Sequence, residues 1–120
     1  MSAIPNIDYQ YLLKPVTLAN VTNQTIPAKS TVILPSSSGV DIKWFNMKTI
    51  SVKADYALTI VIEVSDDQST WDEYYSDTLT ADKLSSYSFQ QIYNYVRVKL
   101  TNPDTSDHTL NYLKIKGRRL

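Results

Sequence analysis

The sequence predicts an all-β chain, an antiparallel β-sandwich of jelly-roll type with about eight strands. Three observations point there. Helix formers are scarce, with six Ala and two Glu against twelve Thr, thirteen Ser, nine Tyr and ten Asp. Asp favours turns and caps where Glu favours helix interiors, and β-branched and aromatic side chains suit a pleated, half-buried surface. Several stretches alternate apolar and polar residues at period two, and turn signals separate them. No stretch offers a helix long enough to cross over between parallel strands, so the pairing is antiparallel and two stacked sheets bury both inner faces. A small closed barrel is the alternative. Glycine is rare for this class, with only Gly39 and Gly117, so turns needing positive φ fall to Asn and Asp.

Residues 1–9 show no usable period and contain Pro5, which reads as an extended N-terminal arm preceding one β-sandwich domain over 10–120. Ile4, Ile7, Tyr9 and Tyr11 are too apolar for a solvated tail and predict a contact with this domain or a neighbouring subunit. Residues 11–21 read as an edge strand or bulge around Pro15, 20–23 as a turn, and 25–34 as a strand broken by Pro27 and Lys29. Residues 35–39 (Pro-Ser-Ser-Ser-Gly) are a loop. Residues 44–54 then alternate, with Ile50 and Val52 against Thr49, Ser51 and Lys53. Leu58, Ile60, Ile62 and Val64 continue the period, which predicts a central hairpin joined near Asp55 and Tyr56. A polar turn follows at 65–70 and a short strand at 71–76. Residues 77–86 have room for one helical turn, and 87–90 form a short strand. The clearest alternation lies in 93–101, with Val96, Val98 and Leu100 inward and Tyr95, Arg97 and Lys99 outward. Asn-Pro-Asp turns the chain within 102–107, and 110–116 closes it with Leu113 and Ile115 inward.

Composition also narrows function. The chain has no cysteine, so thiol nucleophiles and disulfides are excluded. Twelve basic residues balance twelve acidic ones, which argues against a sequence-blind grip on nucleic acid. No apolar run approaches the roughly 20 residues of a membrane helix. Residues 1–10 lack the basic start and apolar middle of a signal peptide. His108, the single histidine, reads as an ordinary residue of a polar turn, and no Gly-x-Ser-x-Gly elbow exposes a serine for it. Zinc needs three or four converging ligands. Asp66 and Asp67, with Asp72 and Glu73 nearby, invite a calcium reading, but Ser65 and Asp66 capping the amides of a hairpin turn account for that pattern. No glycine-rich loop precedes a helix to cradle phosphate. The expectation is a protein that is not an enzyme and needs no cofactor or metal.

Aromatics carry the remaining function. Tyr and Trp join an apolar body to a polar tip, which suits protein interfaces and sugar platforms alike. Tyr95 and Arg97 share the outer face of one strand and join Ile4, Ile7, Tyr9 and Tyr11 as candidate interface residues. Trp44, Trp71, Tyr74 and Tyr75 are the candidate sugar-binding set, with core plugs as the plainer role for both tryptophans. Lys114, Lys116, Arg118 and Arg119 read as a solubilising basic end.

The order Ile62-Glu-Val-Ser-Asp-Asp-Gln-Ser-Thr-Trp71, then Tyr95-Val-Arg-Val-Lys-Leu-Thr-Asn102, then Leu113-Lys-Ile-Lys-Gly-Arg118 resembles two groups of jelly-roll proteins. One comprises discoidin-like, galactose-binding-like modules, in which a Ser-x-Asp-Gly-x-x-Trp turn precedes a Tyr-x-Arg strand. Here Gln68 replaces the turn glycine, and the cysteine pair is missing. The other comprises small β-sandwich structural proteins of tailed phages and other double-stranded DNA viruses. The similarity spans residues 60–118. The second resemblance implies a non-enzymatic virion protein made in the host cytoplasm, a capsid decoration, cement or fibre-associated subunit. Its implied partners are other copies of itself, often as trimers, and capsid or other virion proteins. The first implies a carbohydrate-binding module.

Overall fold

The computed structural model describes residues 14–119. Nine strands follow in order: β1 (Val16–Ile26), β2 (Thr31–Leu34), β3 (Val40–Asp41), β4 (Met47–Ala54), β5 (Thr59–Ser65), β6 (Asp72–Thr78), β7 (Ser85–Phe89), β8 (Tyr95–Thr101) and β9 (His108–Arg118). One sheet runs β1-β9-β4-β7 and the other β2-β8-β5-β6, with the two-residue β3 also pairing β8. Every pairing is antiparallel. This strand order is that of an eight-stranded jelly roll, with β3 as an addition. Among the described residues β5 and β6 alone are sequential strands that pair, so most connections cross from sheet to sheet.

Alternation builds the core. In β4 every second residue is buried from Lys48 to Ala54, and in β8 Val96, Val98 and Leu100 are fully buried. Ile60 and Ile62 from β5 and Leu113 and Ile115 from β9 complete the inward rows. Outward positions stay polar, because one face of each sheet meets water. At the far end the buried Asn102 side chain donates to the Ile26 and Ser106 carbonyls and accepts from the Asp104 amide. It thereby ties β1 to the β8–β9 turn. Gly117 lets the Phe45 ring lie across β9, since a Cβ there would sit 2.5 Å from the ring.

Several expectations need correction. Residues 44–64 do not form a hairpin: β4 and β5 lie in different sheets, and the link between them buries Leu58 in the core. Residues 20–23 are not a turn. β1 runs through them, with Asn23 at φ 52° opposite Asn111 and a bulge before Ala19. Residues 80–83 form a β-turn with Asp82 at φ 61°, not a helical turn. Residues 42–46 are loop, because Ile42 is drawn inward by its amide bond to the Asn94 carbonyl, and the strand begins only at Met47. Positive φ falls on Lys29 and Gln68 as well as on Asn23 and Asp82. Residues 1–9, the expected arm, lie outside the described residues.

Asn102→Ala leaves the Ile26 carbonyl and the Asp104 amide without their partner. Urea unfolding should show a loss of about 1–3 kcal/mol, the cost of orphaned buried polar groups. An unchanged midpoint would refute this role.

Candidate functional site

Register brings four loops to one end of the sandwich. Ser65 pairs with Tyr95, Val40 with Val96 and Met47 with Arg118, so residues 35–39, 42–46, 66–71 and 90–94 cluster there. Two large apolar side chains stand out in water at this end: Trp44 at 69% and Ile92 at 92% exposure. Both line a recess of about 230 Å³ with Lys43, Phe45, Gln90 and Tyr93. Lys48 forms part of its wall, yet only 1% of its surface is exposed. Its ammonium donates to the carbonyls of Gln91 (2.7 Å) and Phe45 (3.3 Å) and lies over the Phe89 ring. Burial pushes its pKa down. Lys48 thus fastens the two loops that present Trp44 and Ile92.

The outer face of the second sheet holds a different cluster. Arg97 donates from Nε to Glu63 at 2.8 Å and from Nη1 to the Ser37 carbonyl, and its guanidinium lies 4.2 Å from the centre of the Trp71 ring. Gln68 donates to the Ser38 carbonyl and accepts from the Trp71 indole. Gly39, at φ 74°, makes room for Trp71, whose ring a Cβ would meet at 2.6 Å. This network clamps the 35–39 and 66–71 loops together. Tyr95 accepts from Lys43, which also bridges to Asp41.

Tyr74 and Tyr75 occupy the open flank, where edge strands β6 and β7 face each other without pairing. An irregularity between Ile62 and Glu63 in the β5–β6 register places Tyr75 opposite inward-facing Ile62 and skips Tyr74. Two adjacent tyrosines can therefore turn toward the seam. Tyr75 packs obliquely on Tyr87 and Tyr74 on Phe89, while Tyr74 meets Tyr93 edge to face. Tyr74, Tyr75, Tyr87 and Phe89 border, with Ser88, a groove of about 270 Å³ that Ile62 also lines. The four candidate sugar-binding residues thus occupy three settings: the loop-end recess, the Arg97 clamp and the flank groove.

Two sequence readings change. His108 opens β9 rather than sitting in a turn. It stacks on Tyr56 at 4.0 Å, its Nε2 lies 2.7 Å from Asp104 and its Nδ1 3.4 Å from Asp55. That bond holds the Asp104 carboxyl below its usual range. Among the described residues no serine hydroxyl bonds to this ring. The 65–70 turn is capped by Ser65 and Asp67 rather than Asp66: Asp67 accepts from the Thr70 amide, the Ser69 amide and the Ser65 hydroxyl, which lowers its pKa. Asp66 contributes only its carbonyl, to Asn94. Among the described residues no group of three His, Cys, Asp or Glu is placed to hold a metal ion. Ile92 and Lys48 escaped the sequence reading. Their signals were an isolated apolar residue in a polar loop and a lysine in phase with Ile50 and Val52.

No family model and no curated protein matches the chain. Solved structures do. PBSX exported protein XepA superposes over 89% of this chain at 18% identity and a TM-score of 0.66, and the match takes in 38% of that chain. The Yersinia pseudotuberculosis-derived mitogen matches over 88% of each chain at 16% identity, with a TM-score of 0.55. A Bacillus endospore appendage protein, from a family of disulfide-linked pili, covers 89% of this chain and 90% of its own at 14% identity, with a TM-score of 0.50. These likenesses show the fold. The present chain spans about two fifths of XepA, and without cysteine it has nothing to form the disulfides that link those pili. No helix among the described residues is long and apolar enough to cross a membrane.

Burial, then the bond to Asp77, pushes the Tyr87 phenol up to about 12. An unfolded chain ionises near 10.0. The stability this group contributes is therefore complete below the unfolded value and is lost as pH rises toward the folded one. Tyr87→Phe should flatten the alkaline fall in melting temperature, measured above about pH 10. Lys48 acts in the opposite sense but is common to both proteins. Identical alkaline slopes would contradict the assignment.

Proposed function

We propose that the chain is a non-enzymatic structural subunit of a virion, a capsid decoration, cement or fibre-associated protein that works by contact with other proteins. The observation that carries this reading is the loop-end recess, where Trp44 and Ile92 face solvent on loops fastened by Lys48. Exposed aromatic and aliphatic anchors on a rigid support are what protein interfaces use. The fold shared with an exported PBSX protein and a spore appendage supports an assembly role, as does the resemblance of residues 60–118 to virion β-sandwiches. In this reading Tyr95 borders the contact, Arg97 shapes the loops beside it, and Ile4, Ile7, Tyr9 and Tyr11 extend it to a neighbouring subunit.

Particles purified from the encoding source, with and without this gene, test the proposal. The wild-type chain should be present in intact particles and should co-sediment with particles that lack it. Trp44→Ser combined with Ile92→Ser should cut that recovery about tenfold or more, the scale of losing interface anchors. Its melting temperature should stay unchanged, because both side chains are already in water. Absence from particles together with no co-sedimentation would overturn the reading.

The flank groove favours a second reading, a carbohydrate-binding module, because Tyr75 and Tyr87 offer ring faces beside a solvent-open recess. A glycan panel read by tyrosine fluorescence decides it. A response abolished by Tyr75→Ala supports it, and silence across the panel removes it.

A further inference from the structure

The chain is neutral as a whole, but part of its charge is gathered by sign onto two surfaces. On the outer face of the β1-β9-β4-β7 sheet, Lys114, Lys116 and Arg118 project from β9, and Lys53 from β4 lies opposite Tyr112. Their cross-strand neighbours are Thr17, Asn20, Thr49 and Ser51, with Ser86 and Ser88 one strand further. No carboxylate of the described residues shares this face or pairs with its four cations. A depression of about 330 Å³ opens on it, bordered by Met47, Thr49, Ser51, Ser88, Lys116 and Arg118.

The opposite sign gathers at the edge of the other sheet. Residues 66–82 hold six of the chain's twelve acids and no Lys or Arg. They comprise the capped turn and β6, which among the described residues pairs only with β5 and so stands at the edge of its sheet. Asp66, Asp72, Glu73 and Asp82 are exposed and enter no ion pair among the described residues.

We propose that these surfaces bind each other between copies: the acidic turn and β6 edge of one molecule dock on the cationic face of the next. This rests on the assembly reading above and names one partner for it, a second copy of this chain. Charge decides the geometry. Two β6 edges brought side by side set carboxylates against carboxylates, and two cationic faces repel in the same way. Only the unlike pair attracts, and because the two surfaces lie on different sheets of the sandwich, one copy engages a different neighbour with each, a heterologous contact that builds rings or open chains. A stable contact needs about 1,200 Å² of total burial, which a sheet face meeting a turn and an edge strand can offer.

Sedimentation with charge-reversed variants tests this. The wild-type chain should associate at low salt, with an association constant falling about tenfold or more between about 50 mM and 500 mM salt. Lys114→Glu with Lys116→Glu should remain a 13.7 kDa monomer, and so should Asp72→Lys with Glu73→Lys. Their equimolar mixture should associate again, because each retains the surface that the other lacks and the two reversed surfaces are themselves of opposite charge. Lys114→Gln with Lys116→Gln gives a milder version if either reversal disturbs folding. Four outcomes overturn the proposal: a wild-type monomer at every salt concentration, a mixture that stays monomeric, salt-insensitive association lost on removing residues 1–10, or duplex DNA binding by the cationic face without self-association. Recovery with particles is read separately. A chain that attaches to particles but never self-associates sinks this inference and leaves the assembly reading standing.

Discussion

Among the described residues no hydrogen-bonded ladder joins the two sheets, so their union depends on apolar rows meeting across the sandwich. Ile50, Val52, Leu113 and Ile115 from one side and Ile60, Ile62, Val98 and Leu100 from the other are almost wholly removed from water. A side-chain period of two makes this packing strict. Slipping a central strand by one residue would swap its inward row for a largely polar one, Thr49, Ser51 and Lys53 in β4 or Tyr95, Arg97 and Lys99 in β8. Register is therefore held by the core, and the loops inherit their places from register. Trp44 and Ile92 share a recess because Met47 lies opposite Arg118 and Ser65 opposite Tyr95.

The sandwich's open flank is managed with rings rather than backbone. Edge strands β6 and β7 leave a gap that Tyr74, Tyr75, Tyr87 and Phe89 fill, and three of the four keep a hydroxyl for the wet side. Such a seam is half core and half surface. That is why the same tyrosines suit both a structural and a sugar-binding account, and why composition alone could not choose between them. The loop end differs. Trp44 and Ile92 stand mostly in water, on loops that the buried Lys48 ties together through the Phe45 and Gln91 carbonyls. Rings that fill a seam have packing to do, whereas these two side chains are offered outward, which makes this end the stronger candidate for contact.

What the sequence disclosed follows the reach of its signals. Alternation is local, so the inward sets of β4, β5, β8 and β9 could be read residue by residue. Partner choice is not local. Residues 44–64 looked like a hairpin because two alternating runs are separated by a short link, yet alternation says only that each run has an inner face. The Leu58 amide bonds to the Tyr56 carbonyl, and Leu58 in turn accepts from Leu79. Those contacts carry the chain across to the other sheet. Asn residues at 20 and 23 suggested a turn, whereas Asn23 spends its tolerance of positive φ inside a long strand opposite Asn111. His108 was misplaced for a similar reason: Asp104 lies only four residues before it, but Tyr56 and Asp55 come from the link between β4 and β5, far away in sequence. The candidate sugar-binding residues share a chemistry but not a location, because residue type says nothing about which side of a jelly roll a strand will occupy.

Net charge illustrates the same limit. A total of zero rightly argues against an undirected hold on polyanions, since repulsion from carboxylates cancels attraction by cations at long range. Within about a Debye length, however, each surface acts by its own charges. Part of the cancellation here is local, as in the pairs Glu63 makes with Arg97 and Lys99, and part is between distant segments. A central strand of one sheet carries Lys114, Lys116 and Arg118, while an edge strand of the other and the turn before it carry acids, with the hydrophobic core between them. A neutral molecule built this way has little long-range repulsion to keep copies apart and two unlike surfaces to draw them together. Sequence position adds a constraint, because β9 is flanked by β1 and β4 and cannot be turned away from water without refolding the sheet. The cations on its outer face are thus fixed in rows by the same alternation that buries Leu113 and Ile115, so core packing and surface charge on β9 are two faces of one pattern.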